Sequence, residues 1–261
     1  MGTNKTALIT GASEGIGREM AFKLAEQGYN LILVALEGLN LDTTSIEVSQ
    51  KTGKAAHPLG LDLTKEGNVQ KIKDFCQQNK ISISILINNA GMGSVGPLEK
   101  FDSDFYGKMI SLNITPMVQL VREFAEDLKK NKGHVVNISS LASYNPIPYK
   151  AVYAATKTFV YSFSRAIREE FKPENVGVTV VCPGGVITNE RVREAINKGG
   201  FFARISAISP QQVTEDIWDG IVKNKAVVIP GKWNKFFFSL SSLFPATLKP
   251  PIIAKIFRKR G

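Results

Sequence analysis

Little in this chain of 261 residues could staple it or anchor it in a membrane. Its two cysteines, Cys76 and Cys182, stand far apart and cannot form a disulfide framework, so both are read as buried, reduced thiols. No run of eighteen apolar residues occurs: the greasiest stretch, Phe236–Phe244, is interrupted by serines and followed by Pro245, which excludes a spanning helix. Met-Gly-Thr-Asn-Lys leads straight into the strand-like Ala7-Leu8-Ile9 with no separate apolar segment and cleavage site, so a cytoplasmic location is expected. Repeats, Gly/Ser linkers and Pro-rich linkers are also missing, and nothing marks a domain boundary. With 43% hydrophobic residues the chain is globular rather than disordered or collagen-like, and long enough to bury a core unaided.

Charge is the feature present in excess, and its placement matters more than its size. The formal net charge is +10, yet nine basic residues and no acidic one lie between Gly220 and Gly261, leaving the preceding part near neutrality. That tail interleaves its cations with Trp233, Phe236, Phe237, Phe238, Phe244 and Phe257. The mixture suits either a subunit interface of a homodimer or homotetramer, or peripheral contact with an anionic lipid surface. It carries no RNP, Cys/His or helix-turn-helix pattern, so nucleic acid is not expected as a partner.

Short aliphatic runs alternate with segments of helical period, the pattern of βαβ units. Strands are expected at Lys5–Thr10, Leu31–Ala35, Ala56–Gly60, Ile83–Asn88, His134–Ser139, Val176–Cys182 and Ala226–Ile229, their continuous apolar character suiting a sheet covered on both faces. Helical period is clearest in Gly15–Gln27, Asn68–Gln78, Asp102–Lys130 and Tyr153–Phe171. The expected fold is α/β, a doubly wound Rossmann-type parallel sheet of about seven strands. It would form one catalytic domain over 1–231, with a substrate loop near 189–209 and the basic aromatic tail at 232–261.

Three constellations point to chemistry. The first strand ends in Thr10-Gly11-Ala12-Ser13-Glu14-Gly15-Ile16-Gly17 at the start of a helix, where backbone N–H groups can meet a pyrophosphate; elsewhere such glycines would be a plain turn. Tyr153 and Lys157, four residues apart, place a phenol and an ammonium on one helix face, and a neighbouring cation lowers a phenol's pKa towards the working range. Ser140 closes an expected strand at the carboxy edge of the sheet, where its hydroxyl can polarise a carbonyl or merely close a turn.

Together with Asn88-Asn89-Ala90-Gly91, these motifs resemble the short-chain dehydrogenase/reductase family over roughly Lys5 to Thr188. The resemblance implies an oxidoreductase that interconverts a carbonyl and a secondary alcohol with NAD(P)(H). Tyr153 would be the acid/base, Ser140 would hold the substrate oxygen, and Lys157 would lower the Tyr153 pKa and bind the nicotinamide ribose. Asn113 would organise a proton-relay water, or else cap a kinked turn before Pro116. The cofactor would meet Gly11, Ser13, Glu14, Gly15, Ile16, Gly17, Leu36, Glu37, Leu63, Asn89, Ala90 and Gly91. Asp62 would face the adenine, or serve as a helix N-terminal acid. Pro183, Gly184, Val186, Ile187 and Thr188 would lie at the nicotinamide end. No metal is implied.

Cofactor choice stays open. Glu37 stands about 20 residues after the glycines, where an acid binds the ribose diol of NAD, or it is a solvated surface acid. By the resemblance the NAD-selecting acid would fall on Ala35 and the NADP arginine on Leu36; neither is present, and no Lys or Arg compensates before Lys51. Tyr144, Ile147, Phe201 and Phe202 are candidates for an apolar substrate pocket, Gly199-Gly200 for a lid hinge, and the expected substrate is a hydrophobic ketone or alcohol. A 3-oxoacyl thioester reductase and a catalytically idle dinucleotide-binding sensor or scaffold are the alternatives.

Overall fold

The computed structural model describes residues 5–188, 194, 206–242, 250, 251 and 254. Seven parallel strands form one sheet in the order β3-β2-β1-β4-β5-β6-β7. They are β1 (Thr6–Thr10), β2 (Asn30–Ala35), β3 (Ala56–Gly60), β4 (Ile83–Asn88), β5 (His134–Ile138), β6 (Gly177–Val181) and β7 (Val227–Val228). Every residue of β1, β5 and β6 is buried, the reason these strands read as unbroken apolar runs rather than as alternation. β1 pairs with β2 and with β4, so the chain reverses its direction of travel across the sheet at β1 and opens a crevice at the carboxy ends of β1 and β4.

Helices cover both faces. On one lie α1 (Gly15–Glu26), α2 (Leu39–Thr52) and α7 (Pro210–Val222), whose Met20, Leu24, Leu41, Val48, Val213 and Ile217 join Ile9 and Leu33 of the strands in one cluster. On the other lie α3 (Asn68–Gln78), α4 (Ser103–Glu123), α5 (Ala125–Lys130) and α6 (Ala151–Phe171), with Ile72, Leu120, Phe124, Leu128 and Ile167 packed on Leu8, Leu86 and Val135. α8 (Lys232–Ser242) follows β7, and 3-10 turns occur at Leu98–Lys100, Leu141–Tyr144 and Lys172–Glu174.

Two expectations need correction. The single helix over Asp102–Lys130 is two, because the backbone turns at Phe124 (ψ 8°) to bury that ring completely, with Lys73 Nζ 4.6 Å from its centroid. Pro116, by contrast, does not stop α4: it stands inside the helix, and its missing N–H frees the Leu112 carbonyl instead. Cys76 and Cys182 are buried free thiols, the former pushed up to about 12, chiefly by burial.

Candidate active site

The glycine turn is tight enough to exclude side chains. A Cβ at Gly17 would lie 2.1 Å from the Gly11 carbonyl oxygen, and Gly11 and Gly15 hold φ of 65° and 56°. Asn89 clamps this turn from β4: its Nδ2 donates to the carbonyls of Thr10 (3.0 Å) and Gly11 (3.1 Å), while the N–H groups of Asn89 and Ala90 both donate to Thr10 Oγ1 at 3.0 Å. Across the turn the Thr188 methyl packs where a Gly15 Cβ would stand, 2.7 Å away. Thr188 is placed there because Ile187 N–H donates to the Ile208 carbonyl and Ile208 N–H donates to the Gly185 carbonyl, each 3.0 Å, pinning the Pro183–Thr188 segment just ahead of α7. Pro183 is buried, Gly184 packs against the Asn234 side chain, and Val186 bridges Ile208.

This cradle fits a dinucleotide. Exposed Glu14 caps α1 without a side-chain bond and the first turn of α1 has no acid, so its N–H groups are available to an anion. Ser13 is half-buried in the same turn, and the Ile16 side chain points into the core. The ribose corner at the end of β2 is made of buried Ala35, Leu36 at 67% exposure and exposed Glu37, whose Cβ rests on Gly60. Asp62 does not lead a helix, since α3 starts six residues later. It closes its own turn, Oδ1 accepting from Thr64 N–H (2.9 Å) and Thr64 Oγ1 (2.7 Å), and these bonds hold its carboxyl below the usual range. Leu63 beside it is buried.

Ser140, Tyr153 and Lys157 meet on the other side of the crevice. Ser140 follows β5 and caps the 3-10 turn, accepting from Ala142 N–H at 3.1 Å, and its hydroxyl stands near enough to the Tyr153 phenol to lower that phenol's pKa. Lys157 is 6% exposed; its Nζ donates to the Ile138 carbonyl at 2.9 Å and lies 6.0 Å from the Tyr153 ring centroid. Burial pulls the Lys157 pKa down to about 8. The expectation that Lys157 lowers the phenol's pKa is corrected: burial raises it, and the bond from Ser140 is what opposes the rise. The lysine faces a carbonyl rather than the phenol oxygen, so the i, i+4 spacing does not give a phenol–ammonium hydrogen bond.

Asn113 is also not a cap. Inside α4, its Oδ1 accepts from Met92 N–H (2.8 Å) while its Nδ2 donates to the Met92 carbonyl and to Thr156 Oγ1 (both 3.0 Å), so the side chain is fully engaged in holding the loop after β4. Beside it lies a cavity of about 10 Å³, room for one water, lined by Asn88, Leu112, Asn113, Pro116 and Lys157. Asn88 Oδ1 is buried there without a partner. The loop held by Asn113 carries exposed Gly91, whose absent Cβ would lie 3.3 Å from Lys157 Nζ, and Gly93, whose absent Cβ would lie 3.0 Å from Tyr153 Cδ2. Gly93, Thr156 and Ser139, whose hydroxyl donates to the Lys157 carbonyl at 2.7 Å, escaped the sequence reading. Only the position of Gly93, two residues past Asn-Asn-Ala-Gly, offered a signal.

On the substrate side, the half-buried Tyr144 ring stands 4.9 Å from Tyr161 and 4.3 Å from Phe238 of α8, and burial, with Cys182 and Tyr161 nearby, pushes its pKa up. Ile147 is half-buried in the loop before α6. Phe201, Phe202 and the Gly199-Gly200 pair lie outside the described residues.

The model of the family described as short chain dehydrogenase matches residues 5–198. Among curated proteins, the chain is 30% identical over 183 residues to a probable oxidoreductase EphD of Mycobacterium tuberculosis, 69% of this chain and 31% of that one. It is 33% identical over 185 residues to the 17-beta-hydroxysteroid dehydrogenase type 3 of Homo sapiens, 70% of this chain and 59% of that one. The chain thus spans well under two thirds of these relatives' length. Among solved structures, a short-chain dehydrogenase from Sphingobium yanoikuyae in complex with NADPH superposes with a TM-score of 0.77 at 28% identity, over 92% of this chain and 94% of the other. The bulky-bulky ketone specific alcohol dehydrogenase from Comamonas testosteroni gives the same four values. By its sequence over residues 5–198 and by the order of its strands, this chain belongs to the short-chain dehydrogenase family.

Proposed function

We propose that the chain is an NAD(P)-dependent oxidoreductase that reduces a bulky, apolar ketone to its secondary alcohol, and the reverse. The observation that carries this reading is the meeting of Ser140, the Tyr153 phenol and a buried Lys157 at one edge of a glycine cradle. NAD(P), when bound, supplies or accepts the hydride. The chain's part is orientation and proton traffic. Ser140 holds the carbonyl oxygen, and Tyr153, kept protonated at neutral pH by burial, delivers its proton to that oxygen as charge develops there. Lys157, with a pKa of about 8, can release a proton close to neutrality, unlike an ordinary lysine, and the one-water cavity beside it gives that proton a route. The aromatic wall of Tyr144 and Phe238 excludes water and favours an apolar substrate.

Relatives named for a hydroxysteroid and for bulky ketones support the substrate class. A second reading, reduction of a 3-oxoacyl thioester, is favoured by relatives named very-long-chain 3-oxoacyl-CoA reductase and by the nine carboxy-terminal cations, which suit a phosphate-bearing carrier. Tyr153→Phe tests the common core: turnover of either class falls about 100-fold or more while cofactor binding is retained. Unchanged turnover rejects Tyr153 as the proton donor, and an unaltered chain that binds the cofactor yet turns over neither substrate class is a sensor or scaffold.

A further inference from the structure

We propose that the adenosine end of the cleft rejects a 2′-phosphate, so that the chain prefers NAD(H) to NADP(H), and that Glu47 enforces this by holding Arg18 out of reach. The proposal rests on the dinucleotide-binding reading above.

In open α/β folds the adenosine ribose meets the carboxy end of the second strand, where an acid accepts the free 2′-hydroxyl and a nearby arginine accommodates a 2′-phosphate. Here that end offers Leu36, 67% exposed and without a donor, then the exposed carboxylate of Glu37, with exposed Glu14 on the glycine turn. No Lys or Arg occurs between Lys23 and Lys51. Arg18, in the first turn of α1 and directly after Gly17, is the cation nearest in sequence to the glycine turn, and the sequence reading passed over it.

The structure commits it elsewhere. Arg18 Nη2 donates to Glu47 Oε2 at 2.5 Å, Nη1 stands 3.7 Å from Glu19 Oε1, and the guanidinium lies 5.0 Å over the Phe22 ring, with Lys51 Nζ 4.9 Å from the same ring. Glu47 is eight residues into α2, about 12 Å along the helix from its ribose end at 1.5 Å per residue. The pair thus draws the guanidinium down the α1–α2 face, away from the crevice mouth. Asp62, two residues past the Gly60 on which Glu37 rests, is acted on by Lys65 and Lys108, which help keep it ionised. A 2′-phosphate entering this corner meets the carboxylates of Glu37 and Glu14, with Arg18 engaged by Glu47 and with Lys65 and Lys108 facing Asp62, whereas a 2′-hydroxyl can donate to Glu37.

The test is a titration of the full chain with NADH and, separately, NADPH at fixed low ionic strength, following nicotinamide fluorescence. NADH is expected to bind at least about tenfold more tightly. Glu47→Gln is expected to tighten NADPH about three- to tenfold and to leave the NADH Kd within about twofold, and Leu36→Arg to tighten NADPH about tenfold or more, both gains shrinking as salt is added. Equal or tighter NADPH binding by the unaltered chain overturns the preference and leaves the oxidoreductase reading standing. A Glu47→Gln variant that folds, by its circular dichroism, yet binds NADPH no better overturns the role of Glu47. Binding of neither nucleotide overturns both this proposal and the dinucleotide site.

Discussion

At Gly93 the proton donor has almost no spare room. A Cβ there would stand 3.0 and 3.1 Å from two ring carbons of Tyr153, closer than side chains normally pack. Gly93→Ala must therefore move the phenol by a few tenths of an ångström, and kcat is expected to fall about tenfold while the NADH Kd holds; an unchanged kcat would show that the ring shifts without cost. Tyr153 and Lys157 were legible in sequence because their spacing and their place after Ser140 are unusual in combination. Gly93 was not, since a glycine's task is visible only from what lies over it. The direction of the Tyr153 shift was equally hidden. Four-residue spacing gives a shared face, but burial and the Ile138 carbonyl decide what the ammonium does there.

Among the elements, β5 carries a hidden sensitivity to acid. His134 is buried between strands, its Nε2 2.8 Å from Thr179 Oγ1, and burial with the Arg168 charge pulls its pKa down to about 4. Because the folded value lies below the unfolded value of about 6.5, the neutral ring's contribution is complete above that pH and is lost as pH falls through about 4. Between pH 7 and 4.5 this amounts to roughly 2–3 kcal/mol. Urea unfolding at the two pH values is expected to show that loss in the unaltered chain and a smaller one in His134→Gln; equal losses would place the acid sensitivity elsewhere. The central strands β1, β2, β4, β5 and β6 were legible because two covered faces demand apolar runs, whereas β3, Ala-His-Pro-Leu-Gly and partly exposed, was legible from its place in the alternation. α2 was not, because Thr43, Thr44, Ser45 and Ser49 dilute its apolar stripe. The break at Phe124 was invisible for the opposite reason: apolar period continues through it, and only the sheet below requires the ring to turn in.

For the whole molecule, the cofactor cradle and the substrate wall come from different ends of the chain. β1, α1 and Asn89 build the first, whereas Tyr144 of the central region and Phe238 of α8 build the second. Phe238→Ala is accordingly expected to raise KM for a bulky apolar ketone about fivefold or more and to leave the NADH Kd unchanged. A changed NADH Kd with unchanged KM would remove α8 from the substrate wall. Fold class and the grouping of Ser140, Tyr153 and Lys157 could be read from local patterns, but this contact joins residues 94 apart and no local pattern announces it. No helix among the described residues is long and apolar enough to cross a membrane. The sheet's two margins also bear on how copies of the chain can meet. β3 includes Pro58, which has no N–H to offer, and β7 is two residues long. An incoming strand finds too few free partners at either margin to extend the sheet, which guards against stacking into fibrils. Where copies of this chain meet, helices and loops must carry the contact, side chain against side chain.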